Sequence, residues 1–376
     1  MPEGPHLALE TTEATRFGTG FLSGLISAIL GIAALGAVLC IRYPNLFTYA
    51  DLRAHYEMPV IRALLHLALV TAFLLGSVSA VLRRNKTLAA VGLATTFVAA
   101  LLGGSQAAVG ADAAGRAPFG LDFFVLNLML YSAIFVPLER LFALRPEQPV
   151  FRAQWAVDLS YFFVNTLLIE LLTIFTLTPA LVLFGWARVP ALREFIEGLP
   201  LLAQVPLMIL VADFTQYWVH RLFHAVPVLW RFHAVHHSTE RMDWLAGSRL
   251  HLVDVIVTRG LSYVPIFVLG FSRDALYVYV FIVAAQATFI HANVRWPLRG
   301  IRRVVATPAF HHWHHAAERD AVDTNFAVHT PVWDLMFGTY HLPDRWPSAY
   351  GLVGDRPLPR GWFRQLLHPF RTRGRT

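Results

Sequence analysis

The chain has 376 residues, of which 56% are apolar and only 15% charged; soluble domains carry roughly 25% charged residues, so composition excludes an ordinary water-soluble globule. A net charge of +7 would suggest nucleic acid in a soluble protein. Here the basic residues sit in short loops beside apolar runs, which fits anionic headgroups and argues against a nucleic-acid partner.

A bilayer-spanning helix needs about 20 mostly apolar residues. Runs of this kind lie at 21–41, 63–82, 88–108, 121–138, 159–183, 201–219, 252–271 and 275–290, the last two joined by Ser272-Arg273-Asp274. The polar N-terminal tail (2–16, with His6) is unlike the basic leader of a cleavable signal. Arg83, Arg84 and Lys86 follow the second run, Arg140, Arg145 and Arg152 the fourth, and Arg221 and Arg231 the sixth. Alternating topology puts these clusters on one side, which the positive-inside rule makes cytoplasmic. The opposite loops nearly balance: Asp51, Arg53 and Glu57; Asp112 and Arg116; Arg188 and Arg193 against Glu194 and Glu197. Cys40, the single cysteine, lies in the first run, which leaves no intramolecular disulfide and no cysteine-rich metal site.

A soft boundary at 145–154, rich in Pro, Arg and Gln, divides the chain. Residues 1–144 read as an accessory transmembrane region of about four spans, 145–343 as a catalytic domain, and 344–376 as a basic, Pro-rich cytosolic tail. Thirteen of the 17 histidines fall between His220 and His341. Most sit in three boxes: His220-Arg-Leu-Phe-His224, His233-Ala-Val-His236-His237 and His311-His312-Trp313-His314-His315. On a helix, His220 and His224 form an i, i+4 clamp. His233, His236 and His237, and likewise His311, His314 and His315, each occupy one stripe. A mononuclear site takes three or four protein ligands, so eight imidazoles suit two ions. Imidazole alone leaves zinc, copper, iron or nickel open.

His291 ends the last run, on the same surface as the boxes, and is expected to be a ninth ligand. His251, His312 and His329 stand open between ligand and supporting roles, whereas His341 and His368 read as surface residues. Asp213, about two turns before His220, is placed to hydrogen-bond a ligand histidine and fix its tautomer. Asn293, two residues after His291, is assigned with Asp213 to the catalytic set. Glu170 lies inside an apolar run, where a carboxylate is a functional candidate. Asn325 and Asp334 read as braces. Arg221, Arg231 and Arg249 read as headgroup or electron-donor contacts, or as membrane anchors.

These boxes, with Asp213 and Trp218 before the first, Pro308 before the third, and Asn325 and 333–339 (Trp-Asp-Leu-Met-Phe-Gly-Thr) after them, resemble the fatty acid hydroxylase/sterol desaturase superfamily of membrane di-iron enzymes. The resemblance covers about 152–342. Ala327 stands where the family often has glycine, and the first 140 or so residues have no counterpart in the minimal family domain. The resemblance implies an all-α integral membrane protein: a multi-span helical bundle whose cytosolic histidine-box cap holds a dinuclear metal site. It implies two iron ions (zinc as a mismetallated form) that use O2 and external electrons to hydroxylate or desaturate a lipid C–H bond. No His-Pro-Gly-Gly segment marks a fused haem domain, so the electrons are expected from a separate donor protein. Two other readings remain: a histidine-liganded membrane zinc hydrolase, which needs a Glu base that the boxes lack, and a non-catalytic or transporting metal-binding protein.

Overall fold

The computed structural model describes residues 20–110, 119–296, 298–354 and 358–371, without the side chains at 50, 51, 169, 170 and 179. His6, the polar tail at 2–16, Asp112, Arg116 and the side chains of Asp51 and Glu170 therefore lie outside the described residues. Among those described, the secondary structure is helical, with two isolated bridge pairs. The chain divides into two compact units, Met1–Met129 with Thr166–Glu170, and Leu130–Asn165 with Leu171–Thr376.

In the first unit, α1 (Phe21–Arg42), α2 (Met58–Leu82) and α3 (Thr87–Leu101) pack on one another. Lipid tails are as apolar as leucine, so helices in a bilayer associate by close backbone approach and hydrogen bonds. The contact is made accordingly. Ser27 Oγ on α1 donates to Ala72 O on α2 at 2.7 Å, and Ser79 Oγ on α2 donates to Gly20 O at 2.7 Å. A Cβ at Gly92 on α3 would lie 2.7 Å from the Ser27 carbonyl carbon. Next, α4 (Leu121–Leu141) begins at Asp122, which accepts from Tyr56 Oη at 2.6 Å and Tyr49 N at 2.9 Å.

In the second unit, the run expected as one span at 159–183 is two helices, α5 (Trp155–Leu167) and α6 (Ile169–Leu183), bent by 67°. Asn165, near the end of α5, donates to Ser248 O and Leu250 O, tying it to the loop after the second box. After a short helix at Pro190–Glu197 come α7 (Leu201–Ala225), α8 (Pro227–His237) and α9 (Leu252–Leu269). Then come α10 (Arg273–Phe289), α11 (Pro308–His314), α12 (Val332–Phe337) and α13 (Trp362–Arg371). Val205, Met208 and Ala212 of α7 meet Ile266 of α9 and Ala275 and Tyr279 of α10 in a buried cluster.

Six described helices (α1, α2, α3 with its following turn, α4, α7 and α9) are long and apolar enough to cross a bilayer, or seven with the bent pair as one. This is an integral membrane protein. The eighth expected run, α10, has 17 residues. At 1.5 Å per residue it is about 25 Å long, short of the ~30 Å hydrocarbon core.

Gly92→Val drives a branched side chain into the Ser27 backbone. Overpacking of this kind costs about 1–3 kcal/mol. A lowered thermal midpoint in detergent is expected, and an unchanged midpoint would refute the close-packing account.

Candidate metal centre

Two proline-started helices set up the site. The residue before a proline is pushed to extended backbone; Val226 takes ψ 115°, which ends α7 just after the first box and lets α8 restart at Pro227 with the second. Thr307 likewise caps α11, its side chain accepting from Phe310 N, with Pro308 in the first turn and the third box behind it.

The nine predicted ligand histidines come together, in two groups. His220, His224, His233, His237 and His314 form one; His236, His291, His311 and His315 form the other. Within each, one ligand-capable atom per residue lies within 4.8 Å of all the rest. All nine are buried. The groups adjoin: His237 and His315, one from each, stack at 4.5 Å between ring centroids.

The second and third boxes are shared between the groups, in opposite senses. His233 and His237 (i, i+4) enter the five-residue group while His236 enters the other. His311 and His315 (i, i+4) enter the four-residue group while His314 crosses over. Successive helical residues turn by 100°, so i+3 and i+4 flank i on opposite sides. The expected single stripe is therefore a pair of edges, one for each group.

The ring nitrogens test whether a cation fits. His220 Nδ1 donates to Phe326 O at 2.6 Å, and His233 Nδ1 to Asp254 Oδ2 at 2.7 Å. With those protons committed, the facing Nε2 atoms, 2.9 Å apart, present two lone pairs to each other. His236 Nδ1 donates to Arg249 O and His291 Nδ1 to Ala287 O, and their Nε2 atoms face each other at 3.3 Å. Nε2 of His224, His237 and His314 is buried without a partner. Buried acceptors are normally satisfied, and converging lone pairs are satisfied by a cation. The donor set fits metal.

Burial, reinforced by the surrounding imidazoles, holds His236, His237, His311, His314 and His315 well below the usual histidine value. Burial brings His291 down to about 4. Lowered values favour neutral rings in these six residues, as metal ligation requires.

The side chains of the two expected catalytic residues both bond backbone groups. Asp213 does not bond a ligand histidine. Its carboxylate accepts from the backbone N–H groups of Val328, His329 and Thr330 at 3.1, 3.0 and 2.7 Å. Asp334 does the same for Phe326 and Ala327. Two buried carboxylates thus pin five consecutive amides, and the segment so held supplies the Phe326 carbonyl to His220. Asn293 pairs with the backbone of Arg145, Oδ1 accepting and Nδ2 donating. Asn325, at φ 57°, bridges Phe310 O and the His341 backbone.

His251, His312 and His329 belong to neither group. His251 caps α9, accepting from Val253 N and donating to Leu366 O. His312 meets Tyr350 Oη and the His291 carbonyl. His329 Nδ1 meets Gln286 Oε1. His341 is 3.8 Å from Asp320. Arg249 is no membrane anchor: it is 1% exposed and pairs with Asp158, which also pairs with Arg152 at 2.6 Å. Arg152 in turn holds Asp243 at 2.7 Å. This buried network fixes the strand of backbone whose Arg249 carbonyl orients His236.

Sequence reasoning missed Asp254, Asp158 and Gly247. Asp254 was detectable as a carboxylate at the start of an apolar run. Gly247 gives no such signal: a Cβ there would lie 2.9 Å from His291 Nδ1.

A helical membrane bundle with paired, all-histidine groups defines the class. Residues 205–339 match the fatty acid hydroxylase family. The chain is 34% identical over 179 residues to the ornithine lipid hydroxylase OlsE of Rhizobium tropici, covering 47% of this chain and 53% of that protein. It is 30% identical to the alkylglycerol monooxygenase of Homo sapiens, covering 38% of this chain and 31% of that one. A putative Delta(7)-sterol-C5(6)-desaturase 2 of Arabidopsis thaliana is 25% identical, with 45% and 61% covered. The matches thus span about half of these relatives or less, or somewhat more for the desaturase. No solved structure gives a significant match.

Breaking one partner of a buried ion pair costs about 3–5 kcal/mol. Asp158→Asn is expected to lower unfolding stability on that scale and to reduce the metal retained per chain, with exposed Arg345→Lys leaving both unchanged. Full metal retention by Asp158→Asn would remove the network from the account of His236.

Proposed function

We propose that the chain is a membrane di-iron oxidoreductase that uses O2 and external electrons to hydroxylate, or desaturate, a C–H bond of a lipid. The observation that carries this reading is the pair of buried all-histidine groups, with Nε2 of His224, His237 and His314 unpaired in one and Nδ1 of His311 and His315 unpaired in the other. The nine histidines would be the ligands: His220, His224, His233, His237 and His314 for one ion, and His236, His291, His311 and His315 for the other. Neutral nitrogen donors suit iron and resist oxidation where thiolates do not. Two bound irons would supply the reductive activation of O2 and the oxidation of an unactivated C–H bond.

The chain's own residues hold and enclose that chemistry. Asp254, the Phe326 carbonyl and the Arg249 carbonyl fix ring orientation and tautomer, the usual task of groups behind metal-ligating histidines. The rings of Phe326 and Trp230 pack 5.1 and 5.0 Å from His224 and keep water away on that side. Asp213 and Asn293 act as positioning residues through the backbone they brace. Away from the site, α7 exposes Phe214, Trp218 and Leu222, an i, i+4, i+8 apolar stripe that an acyl or alkyl chain could follow. The relatives named as hydroxylases and monooxygenases support hydroxylation before desaturation.

The basic clusters support a cytoplasmic histidine cap, served by a separate electron-donor protein. Residues 145–343 are assigned the catalytic role and 1–144 an accessory one. Neither group contains a carboxylate, which disfavours a zinc hydrolase with a Glu base.

The test has two parts. Anaerobically purified protein is expected to carry two irons per chain. Lipid extracts of cells expressing it should gain species heavier by one oxygen, or lighter by two hydrogens, that disappear with His236→Ala. Two irons with no such lipid, or lipid changes that persist in His236→Ala, would overturn the reading.

A further inference from the structure

The C-terminal helix α13 has two unlike faces. Gln365 and Pro369 are buried, and Trp362 and Leu366 are half-buried on the same side. That side is tied to the elements bearing the second box. Leu366 O accepts from His251 Nε2, and Trp362 meets Tyr161 at 6.3 Å. The other face is open. Phe363 is 63% exposed; Phe370, at the border of the two faces, is 67% exposed and packs on Phe232 of α8 at 5.4 Å. With half-buried Leu367 between them, they fall at i, i+4 and i+7, one stripe of a helix. Arg364 and Arg371, both exposed, flank the stripe on one side.

Charge identifies what covers this face. From position 356 to the last residue the sequence has six arginines and no acidic residue. An exposed aromatic stripe edged by arginines is the pattern of a helix lying in the headgroup layer, its rings at the acyl boundary and its cations on lipid phosphates. Near an anionic surface each cation contributes about 1 kcal/mol. A soluble acidic partner would match the arginines and leave the three large apolar side chains unused.

We propose that α13 is an interfacial helix that docks on an anionic lipid surface. The inference is independent of the oxidoreductase reading, since it rests on the open face alone. It also gives the second box a tether to the membrane: α13 holds His251, His251 caps α9, and Asp254 in the first turn of α9 holds His233.

The experiment uses the full chain with Cys40→Ser and a nitroxide at Phe363→Cys, reconstituted in nanodiscs of phosphatidylcholine alone or rich in phosphatidylglycerol. Collision with a water-soluble nickel chelate and with O2 reports depth. Chelate access is expected to fall several-fold in the phosphatidylglycerol-rich bilayer, with O2 access rising. Arg364→Glu with Arg371→Glu should abolish that difference, and a label at exposed Ala349→Cys should not show it. A second label at Arg364→Cys reports the same face if the first does not incorporate. Equal chelate access in the two bilayers, or a difference that survives the double charge reversal, overturns the proposal and makes a soluble protein the occupant to seek.

Discussion

A histidine offers two ring nitrogens, and a metal can use one only if the other is held. The second unit is arranged around that requirement. Each group needs imidazoles that are neutral, buried and turned inward, and burial alone supplies only the first two conditions. Orientation comes from acceptors behind the rings: the carbonyls of Phe326, Arg249, Ala287 and Thr324, and the carboxylate of Asp254. Carbonyls orient well only if their own backbone is immobile. The next layer is therefore a set of buried carboxylates and ion pairs that fix backbone rather than touch the site. Asp213 and Asp334 clamp 326–330, and the Arg152–Asp158–Arg249 network clamps the loop after the second box.

Spacing made the clustered histidines legible because a helix converts i, i+4 into adjacency. Box identity, the helical clamps and the membrane class all followed from that rule and from hydropathy. The partition of ligands did not, because i+3 and i+4 are near neighbours on a wheel drawn for one partner and diverge when there are two. Asp213 illustrates a second limit. Its distance from His220 along α7 suggested a direct bond, but its carboxylate accepts from amides more than a hundred residues away in sequence. Arg249 shows the same limit with opposite chemistry: a cation beside an apolar run reads as an anchor, and only the fold brings Asp158 to it. Long-range polar partners leave no local pattern.

The first unit follows different physics. Its helices meet through Gly92, Ser27 and Ser79, where bringing backbones close gains dispersion and hydrogen bonds in a medium with no hydrophobic drive. The second unit has apolar contacts of the same kind between α7, α9 and α10, but its polar interior carries the ordering. The bent α5 and α6 pair and the short α10 are the departures from regular spans.

The divided boxes have a consequence for how the site fills. α8 and α11 each contribute to both groups, so a cation held by either group immobilises backbone that carries ligands of the other. Occupancy of the two positions is then thermodynamically linked through two shared rods. If each group binds one ion as proposed, the first would help order the shared rods and the second would find part of its ligand set already in place.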